Sequence, residues 1–355
     1  MLSSPQFLKQ EIMLRVLYSL VPVAITAVYF FGWYVMSIIV VSMAFAFLAE
    51  WLMASQRKGK ISYACFVSAG IYALSLPPTT PLWIVAVGVI IAVLFGKEMF
   101  GGFGKNVFNP AIVGRAFVFV CFPIELTGKF IPVFTGFPGG FSHWSMAGLE
   151  QPPQFIAEAG LKIIDAVTSA TPMWAQRNYG YDSSIFSLFI GNIGTIFQYE
   201  GQKMILGAGS MGEVSALVIM CSCAYLLWTK TANWRLTVST LLGALISSIV
   251  FRYVFGIKTV PAPLFTMFSG ALFYAAVFMV TDPISAPKVT LSQWIYGFFI
   301  GTMIVVFRCK GIFSGGAAFS ILLGNILAPS LDLWITRVTS SKKETASNSK
   351  GVVSP

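Results

Sequence analysis

Two apolar runs follow one another near the start of this chain, at 13–31 and 33–53, and each has the length that a lipid bilayer demands. A helix needs about 20 residues to cross the hydrocarbon layer. Only helices and closed barrels can satisfy their own backbone there. Further runs of the same kind lie around 82–96, 107–123, 211–228, 236–256 and 291–307. Three more are shorter or are interrupted by Gly and Pro: 61–76, ending "LSLPPTTP"; 263–281, ending "VTDPISAP"; and 312–335, containing "SGGAAFSILLGNILAP". The expected fold is an all-α integral membrane protein of about ten transmembrane helices, with both ends on one side.

Composition agrees with that reading. Hydrophobic residues make up 56% of the 355 and charged residues 10%, against about 25% charged in soluble domains. The formal charge of +10 does not point to nucleic acid, because the basic residues sit in short loops between apolar runs. Those loops set the orientation, since Lys and Arg gather on the cytoplasmic side. With the first residues inside, Arg57, Lys58, Lys60, Lys97, Lys105, Lys230, Arg235 and Lys288 fall on that side, as do the basic residues near both ends. The short loops opposite hold only Arg252, Lys258, Arg308 and Lys310. Both termini are therefore expected in the cytoplasm. The first apolar run shows no small-residue cleavage site and is expected to stay as a crossing.

The interrupted segments match in pairs. "SAGIYALSLPPTTPLW" (68–83) is similar to "SGALFYAAVFMVTDPISAP" (269–287), each a short apolar span running into a Pro-rich bend. "GGFGKNVFNPA" (101–111) is similar to "GGAAFSILLGNILAP" (315–329), each with a Gly pair and then Asn-x-x-x-Pro. A repeat of five crossings must invert on duplication, and paired breaks of this kind mark a midplane site in inverted-repeat membrane proteins. The chain is accordingly divided into a first five-helix repeat (1–123), an external loop region (124–205), a second five-helix repeat (206–337) and a disordered basic tail (338–355). A short amphipathic or re-entrant piece is expected at 185–198.

Charge within or beside apolar spans is expensive and is kept for pairs, ion paths or ligands. Glu50, Glu98, Glu213, Asp282 and Asp332 sit at or near the ends of such spans, and Arg115 lies inside one, in "GRAF". Pairing with a neighbouring base, as Lys97 beside Glu98, is the ordinary alternative for each acid. Arg115 needs an anion or a carboxylate. In the external region, "DAVTSATP" (165–172) ends in a threonine that its following proline holds extended. Proline suits the first position of a helix, so Thr171 reads as an N-cap. An anion on its oxygen would face free N–H groups at a helix start, with Thr168 and Ser169 nearby as hydroxyl donors.

Four segments taken together, "FGKEMFGGFGKNVFNPAIVGRAF" (95–117), "DAVTSATP", "GSMGEVSAL" (209–217) and "TDPISAP" (281–287), resemble the NqrB/RnfD family in residue and order. Its members are the RnfD component of the Rnf ferredoxin:NAD⁺ oxidoreductase and the NqrB component of the Na⁺-translocating NADH:quinone oxidoreductase. The likeness runs from about residue 10 to 337. It implies a fold like that of urea channels and FMN joined through its phosphate to Thr171 by a flavin transferase. It also implies a non-covalent riboflavin in the membrane part, other proteins of an Rnf or Nqr complex as partners, and the bacterial inner membrane. Asn106, Asn109 and Arg115 become cofactor-facing candidates, and Glu98, Glu213, Asp282 and Asp332 become candidates for cation uptake. Ser169 stands where the family motif commonly has Gly. Pro172 and the early first crossing favour the Rnf type, whereas "GKNVFNPAIVGRAF" favours the quinone-reductase type. The alternative outside this family reading is a cofactor-free channel or transporter built on the repeat alone.

Three features look functional and are read as structural. "GGFGKN" lacks the spacing of a phosphate-binding loop. His143 has no second His or Cys near it. The cysteines (65, 121, 221, 223, 309) form no C-x-x-C pair and are read as apolar filler.

Overall fold

The computed structural model describes residues 7–149, 154–158, 160–161, 171–194, 196–257, 259–311 and 316–351. Its first half contains α1 (Glu11–Phe31), α2 (Tyr34–Gln56), α3 (Ala64–Leu74), α4 (Leu82–Gly96) and α5 (Pro110–Cys121). After the intervening region, where α6 (Pro172–Tyr179) lies, come α7 (Ala216–Trp228), α8 (Trp234–Ile249), α9 (Pro263–Phe268), α10 (Leu272–Tyr274), α11 (Thr290–Lys310) and α12 (Ala317–Gly351). α8 continues as a π-helical turn over Val250–Val254, and α10 as another over Ala275–Met279. Among the described residues, six helical segments are long and apolar enough to cross a membrane, while α3, α5 and α7 are shorter apolar helices. The span expected at 263–281 is divided into α9 and α10.

Local sequence explains where the shorter helices begin. α5 starts at Pro110, and Ala111 N donates to the Oδ1 of Asn109 (3.0 Å). α6 starts at Pro172 behind Thr171, α7 behind Ser215 and α8 behind Asn233, each cap accepting a main-chain N–H. Asn, Ser and Thr are suited to this because a short side-chain oxygen reaches an amide that the helix cannot otherwise pair.

The helices wear their polarity inside out. On α2, Val40 is 58% exposed while Ser42 is fully buried, its hydroxyl donating to Ala69 O on α3 (3.0 Å). Tyr18, Val21 and Ile25 of α1 are exposed, as is Trp83 of α4. Such surfaces suit hydrocarbon and would not suit water. The molecule is a multi-pass membrane protein.

The two halves pack alike. α4 lies against α2 and α5 in the first half, and α11 lies against α8 and α12 in the second. Across the halves α1 meets α7 and α5 meets α12. The α8–α11 contact depends on small residues. A Cβ added at Gly301 would lie 2.7 Å from Ala244 N, and one at Gly243 would lie 2.9 Å from Phe298 Cα. Gly297 and Gly301 are one helical turn apart, the small-x-x-x-small spacing that lets helices touch in lipid.

The intervening region departs from expectation. Where an amphipathic or re-entrant piece was expected, a short helix over Ile185–Ile190 is followed by an antiparallel hairpin, β3 (Ile196–Tyr199) with β4 (Gln202–Ile205). Glu200 and Gly201 both have positive φ (49° and 81°), the backbone that a tight two-residue hairpin turn requires. A second small pairing is parallel, β1 (Phe7–Leu8) with β2 (Ile61–Ser62). The last helix runs to Gly351 through residues expected as a disordered tail, with no Gly or Pro after Pro329 to stop it sooner. Cys65 and Cys309 are buried as expected, whereas Cys121 and Cys221 are exposed on the bundle surface. Cys223 is two residues from Cys221, a spacing at which helical side chains do not face each other.

Gly301→Val should strain the α8–α11 contact by about 1–3 kcal/mol, the usual range for overpacking. The expected result is a lower unfolding temperature in detergent. Gly148→Ala, which meets nothing within 4 Å, should leave that temperature unchanged.

Candidate functional site

Two polar cavities open toward opposite ends of the bundle, joined by α5 and α7. Pro110, at the start of α5, lines one cavity, and Arg115 lines the other. At 1.5 Å per residue the two positions are roughly 7.5 Å apart along the helix. α7 runs the opposite way, with Val214 just before its start in the second cavity and Leu226 near its end in the first.

The first cavity has an empty volume of about 670 Å³ and is lined by Lys97, Asn106, Asn109, Thr281 and Asp282 among apolar side chains. Asn109 does more than cap α5. Its Nδ2 donates to Met279 O (3.0 Å), and its main-chain N donates to the Oδ1 of Asn325 (3.3 Å). Asn325 in turn donates to the Tyr296 hydroxyl (2.9 Å). The π turn of one half is thereby held by an asparagine of the other. Asn106 donates to Phe108 O (3.0 Å) and shapes the bend before α5. Asp282 folds back on its own loop, accepting from Ser285 Oγ (2.7 Å) and from Ile284 N (3.3 Å). Lys97 is held by Glu50 at 2.6 Å, with both side chains 3% exposed. Lys97 also donates to the Ser62 hydroxyl, and the remaining Glu50 oxygen accepts from Ser62 N and Oγ (2.7 and 2.9 Å).

The second cavity has an empty volume of about 750 Å³. Its wall carries Thr171, Arg115, Ser210, Glu213 and Arg308, with Phe119, Phe130 and Phe268. Thr171 is 8% exposed and caps α6, accepting from Trp174 N at 3.4 Å. α6 is fastened to the second half. Arg177 donates to Gly311 O (2.7 Å) and Arg308 O (3.3 Å) at the end of α11. Ser269 Oγ lies 2.8 Å from Met173 Sδ. Glu213 completes a capping box, its Oε1 accepting from Ser210 N at 2.6 Å. Arg308 is 3% exposed and donates to Thr266 O (2.9 Å).

The structure thus brings Thr171, Arg115 and Glu213 to one cavity and Asn106, Asn109 and Asp282 to the other. Two acids lie in neither lining. Glu98 pairs with Arg57, whereas its neighbour Lys97 is taken by Glu50. Asp332 accepts from Lys288 N (2.7 Å) and Val289 N (3.2 Å) just before α11. Thr168 and Ser169 lie outside the described residues. The sequence reading missed Arg308, which it had assigned to a short external loop. The apolar run "TMIVVF" immediately before it was the available signal. His143, read as structural, stacks on Phe134 with ring centroids 4.8 Å apart.

A family model described as NQR2, RnfD, RnfE matches residues 4–340. The chain belongs to that family. It is 33% identical over 301 residues to the B component of the Na(+)-translocating NADH-quinone reductase of Azotobacter vinelandii, an alignment covering 83% of this chain and 65% of that protein. The corresponding component of Neisseria meningitidis is 31% identical over 84% of this chain and 66% of its own length. The D component of the ion-translocating oxidoreductase complex of Actinobacillus succinogenes is 30% identical over 92% of both chains. The chain thus spans just under two thirds of the B-type relatives that it matches first.

Breaking the buried Lys97–Glu50 pair should harm the fold more than removing it. Lys97→Met leaves a carboxylate buried without its cation, a loss of about 3–5 kcal/mol. Lys97→Met with Glu50→Gln should recover part of that loss, read as unfolding temperature in detergent. Equal losses in the two variants would show that the pair does not couple.

Proposed function

We propose that this chain is a flavin-carrying membrane subunit of an ion-translocating electron-transport complex, of the Rnf type. The observation that carries the reading is the Thr171 hydroxyl in the wall of a cavity that also holds two buried arginines. A cofactor-free pore has no use for that arrangement. The relatives' names, which describe components of a sodium-translocating NADH-quinone reductase and of an ion-translocating oxidoreductase complex, support the same class. Thr171-Pro172 favours the Rnf type, and the quinone-reductase type is the alternative carried by "GKNVFNPAIVGRAF".

The second cavity fits FMN attached through phosphate at Thr171. Its wall sets the Thr171 hydroxyl among aromatic side chains, and Arg115 retains nitrogen atoms without a partner among the described residues. The first cavity suits a non-covalent riboflavin, with Asn106 and Asn109 as amide contacts and apolar walls for the ring. Flavins supply the one- and two-electron chemistry, and the protein sets their position and surroundings. α5 links the cavities over a short distance, which suits electron passage between two bound groups. Asp282, in the first cavity, is the acid best placed to meet a cation there.

Topology supports an outside location for Thr171. Arg15, whose guanidinium donates to Thr229 O (3.0 Å), lies with Lys97 and Lys230 at the end of the bundle holding the first cavity. Thr171 is at the other end. In this reading both termini are in the bacterial cytoplasm, and a flavin transferase and the remaining proteins of the complex are the partners.

Co-expressed with a flavin transferase, the chain should give a fluorescent band under ultraviolet light on a denaturing gel. Thr171→Val should abolish the band. A dark wild-type band would remove the proposal in favour of a pore. In the assembled complex, Asp282→Asn should lower sodium-dependent turnover severalfold while flavin content stays constant; unchanged turnover would clear Asp282 of a role in the ion path.

A further inference from the structure

The second cavity holds a charge imbalance that the atoms of the described residues do not resolve. Arg115 is 2% exposed, and its Nε and Nη1 have no hydrogen-bond partner among the described residues. Its Nη2 reaches only the Ser210 hydroxyl, at 3.4 Å. Its Cζ sits 5.3 Å from the centroid of the Phe119 ring. A guanidinium stays protonated and carries five N–H donors, so leaving most of them buried and unmatched is unfavourable. Glu213, a carboxylate in the same lining, does not answer them. Its Oε1 is taken by Ser210 N, its Oε2 has no partner among the described residues, and no ion pair joins it to Arg115. Arg308 adds a second buried cation to the same wall. Among the described residues, two positive groups thus face one carboxylate, and that lining is short of one negative charge.

We propose that this cavity contains an oxyanion subsite, with Arg115 as the residue that binds the anion, and that in the mature protein the anion is the phosphodiester joining FMN to Thr171. This rests on the reading of Thr171 given above. A phosphodiester carries a single negative charge at neutral pH, which cancels the imbalance. Arginine suits phosphate oxygens because several of its donors can engage them in fixed geometry. Arg115 is a positioning residue here. By holding the phosphate it anchors a group that would otherwise swing about one threonine bond, and so sets where the flavin ring lies in the cavity. A free phosphate ion has the same chemistry and would occupy the same subsite if no flavin were attached.

The test uses the full chain in detergent, made without flavin transferase, with ³³P-labelled inorganic phosphate in equilibrium dialysis. The unmodified wild type and Thr171→Val should bind phosphate. Arg115→Gln should raise the Kd at least about tenfold, in keeping with the strength of charge-assisted bonds. Arg115→Lys, which keeps the charge and loses the fork, should fall between them. Wild type carrying flavin should bind no phosphate, because the diester fills the subsite. Undiminished binding by Arg115→Gln would overturn the assignment of Arg115. Equal binding by flavin-loaded and flavin-free wild type would overturn the diester as its ligand and leave free phosphate. If Arg115→Gln fails to elute as a single folded species, Arg115→Lys and the comparison of loaded with unloaded wild type decide the matter. Gel fluorescence reports on Thr171 separately, so a dark band with phosphate binding intact would remove the flavin and keep the subsite.

Discussion

Every helix that stops inside a membrane bundle leaves main-chain groups that hydrocarbon cannot satisfy, and the two halves of this protein supply those groups to each other. Asn109 of the first half holds Met279 O in the π turn of the second. The Tyr274 hydroxyl donates to Ile71 O on α3 (3.0 Å). Met211 N donates to Leu76 O, just past the end of α3 (3.0 Å). Neither half has a complete hydrogen-bond inventory alone. The interrupted helices are therefore stable only as a matched set, and the polar ground at their ends is where cavities can exist.

This constraint also accounts for how charge is distributed. At the first cavity, Lys97 and Glu50 are fully partnered, with Ser62 closing the group. At the second, Arg115 and Glu213 each keep an atom without a partner among the described residues. Lys97, Glu50 and Arg115 are buried and Glu213 is half-buried, so the difference is one of completeness more than of depth. A satisfied ion pair fixes packing, whereas charged groups left without partners have capacity for something else. The ligand readings follow that distinction. As proposed, the covalent attachment would lie where protein donors are left over and the non-covalent group where neutral amides line the wall.

Much of this was readable in the residues. The apolar helices and the cap at Thr171 follow from apolar length and the behaviour of Thr before Pro, each a local rule. What local rules could not supply is tertiary choice. Lys97 stands beside Glu98 in the chain but pairs with Glu50 of α2, a partner that only the packing of α2 against α4 brings within reach. Arg308 follows an apolar run that could have ended one turn sooner, and only the packing of α11 against its neighbours decides that it is inside. Asp332 looked like an intramembrane acid and serves as a main-chain acceptor for a different helix. The hairpin at 196–205 hinges on a Glu-Gly turn, a weaker signal than Asn-Gly, within a region dominated by loops.

The hold that Arg177 takes on the last carbonyls of α11 has a mechanical consequence. It makes the short helix behind Thr171 a rider on α11 rather than a free flap, so a tilt of α11 would carry the threonine with it. Arg308 belongs to the same rider. Arg115, on α5, belongs to the opposite half. Any sliding of one half against the other would therefore change the gap between the two guanidinium groups while leaving Thr171 in register with one of them, turning a rigid-body displacement into a change of electric field at a single point.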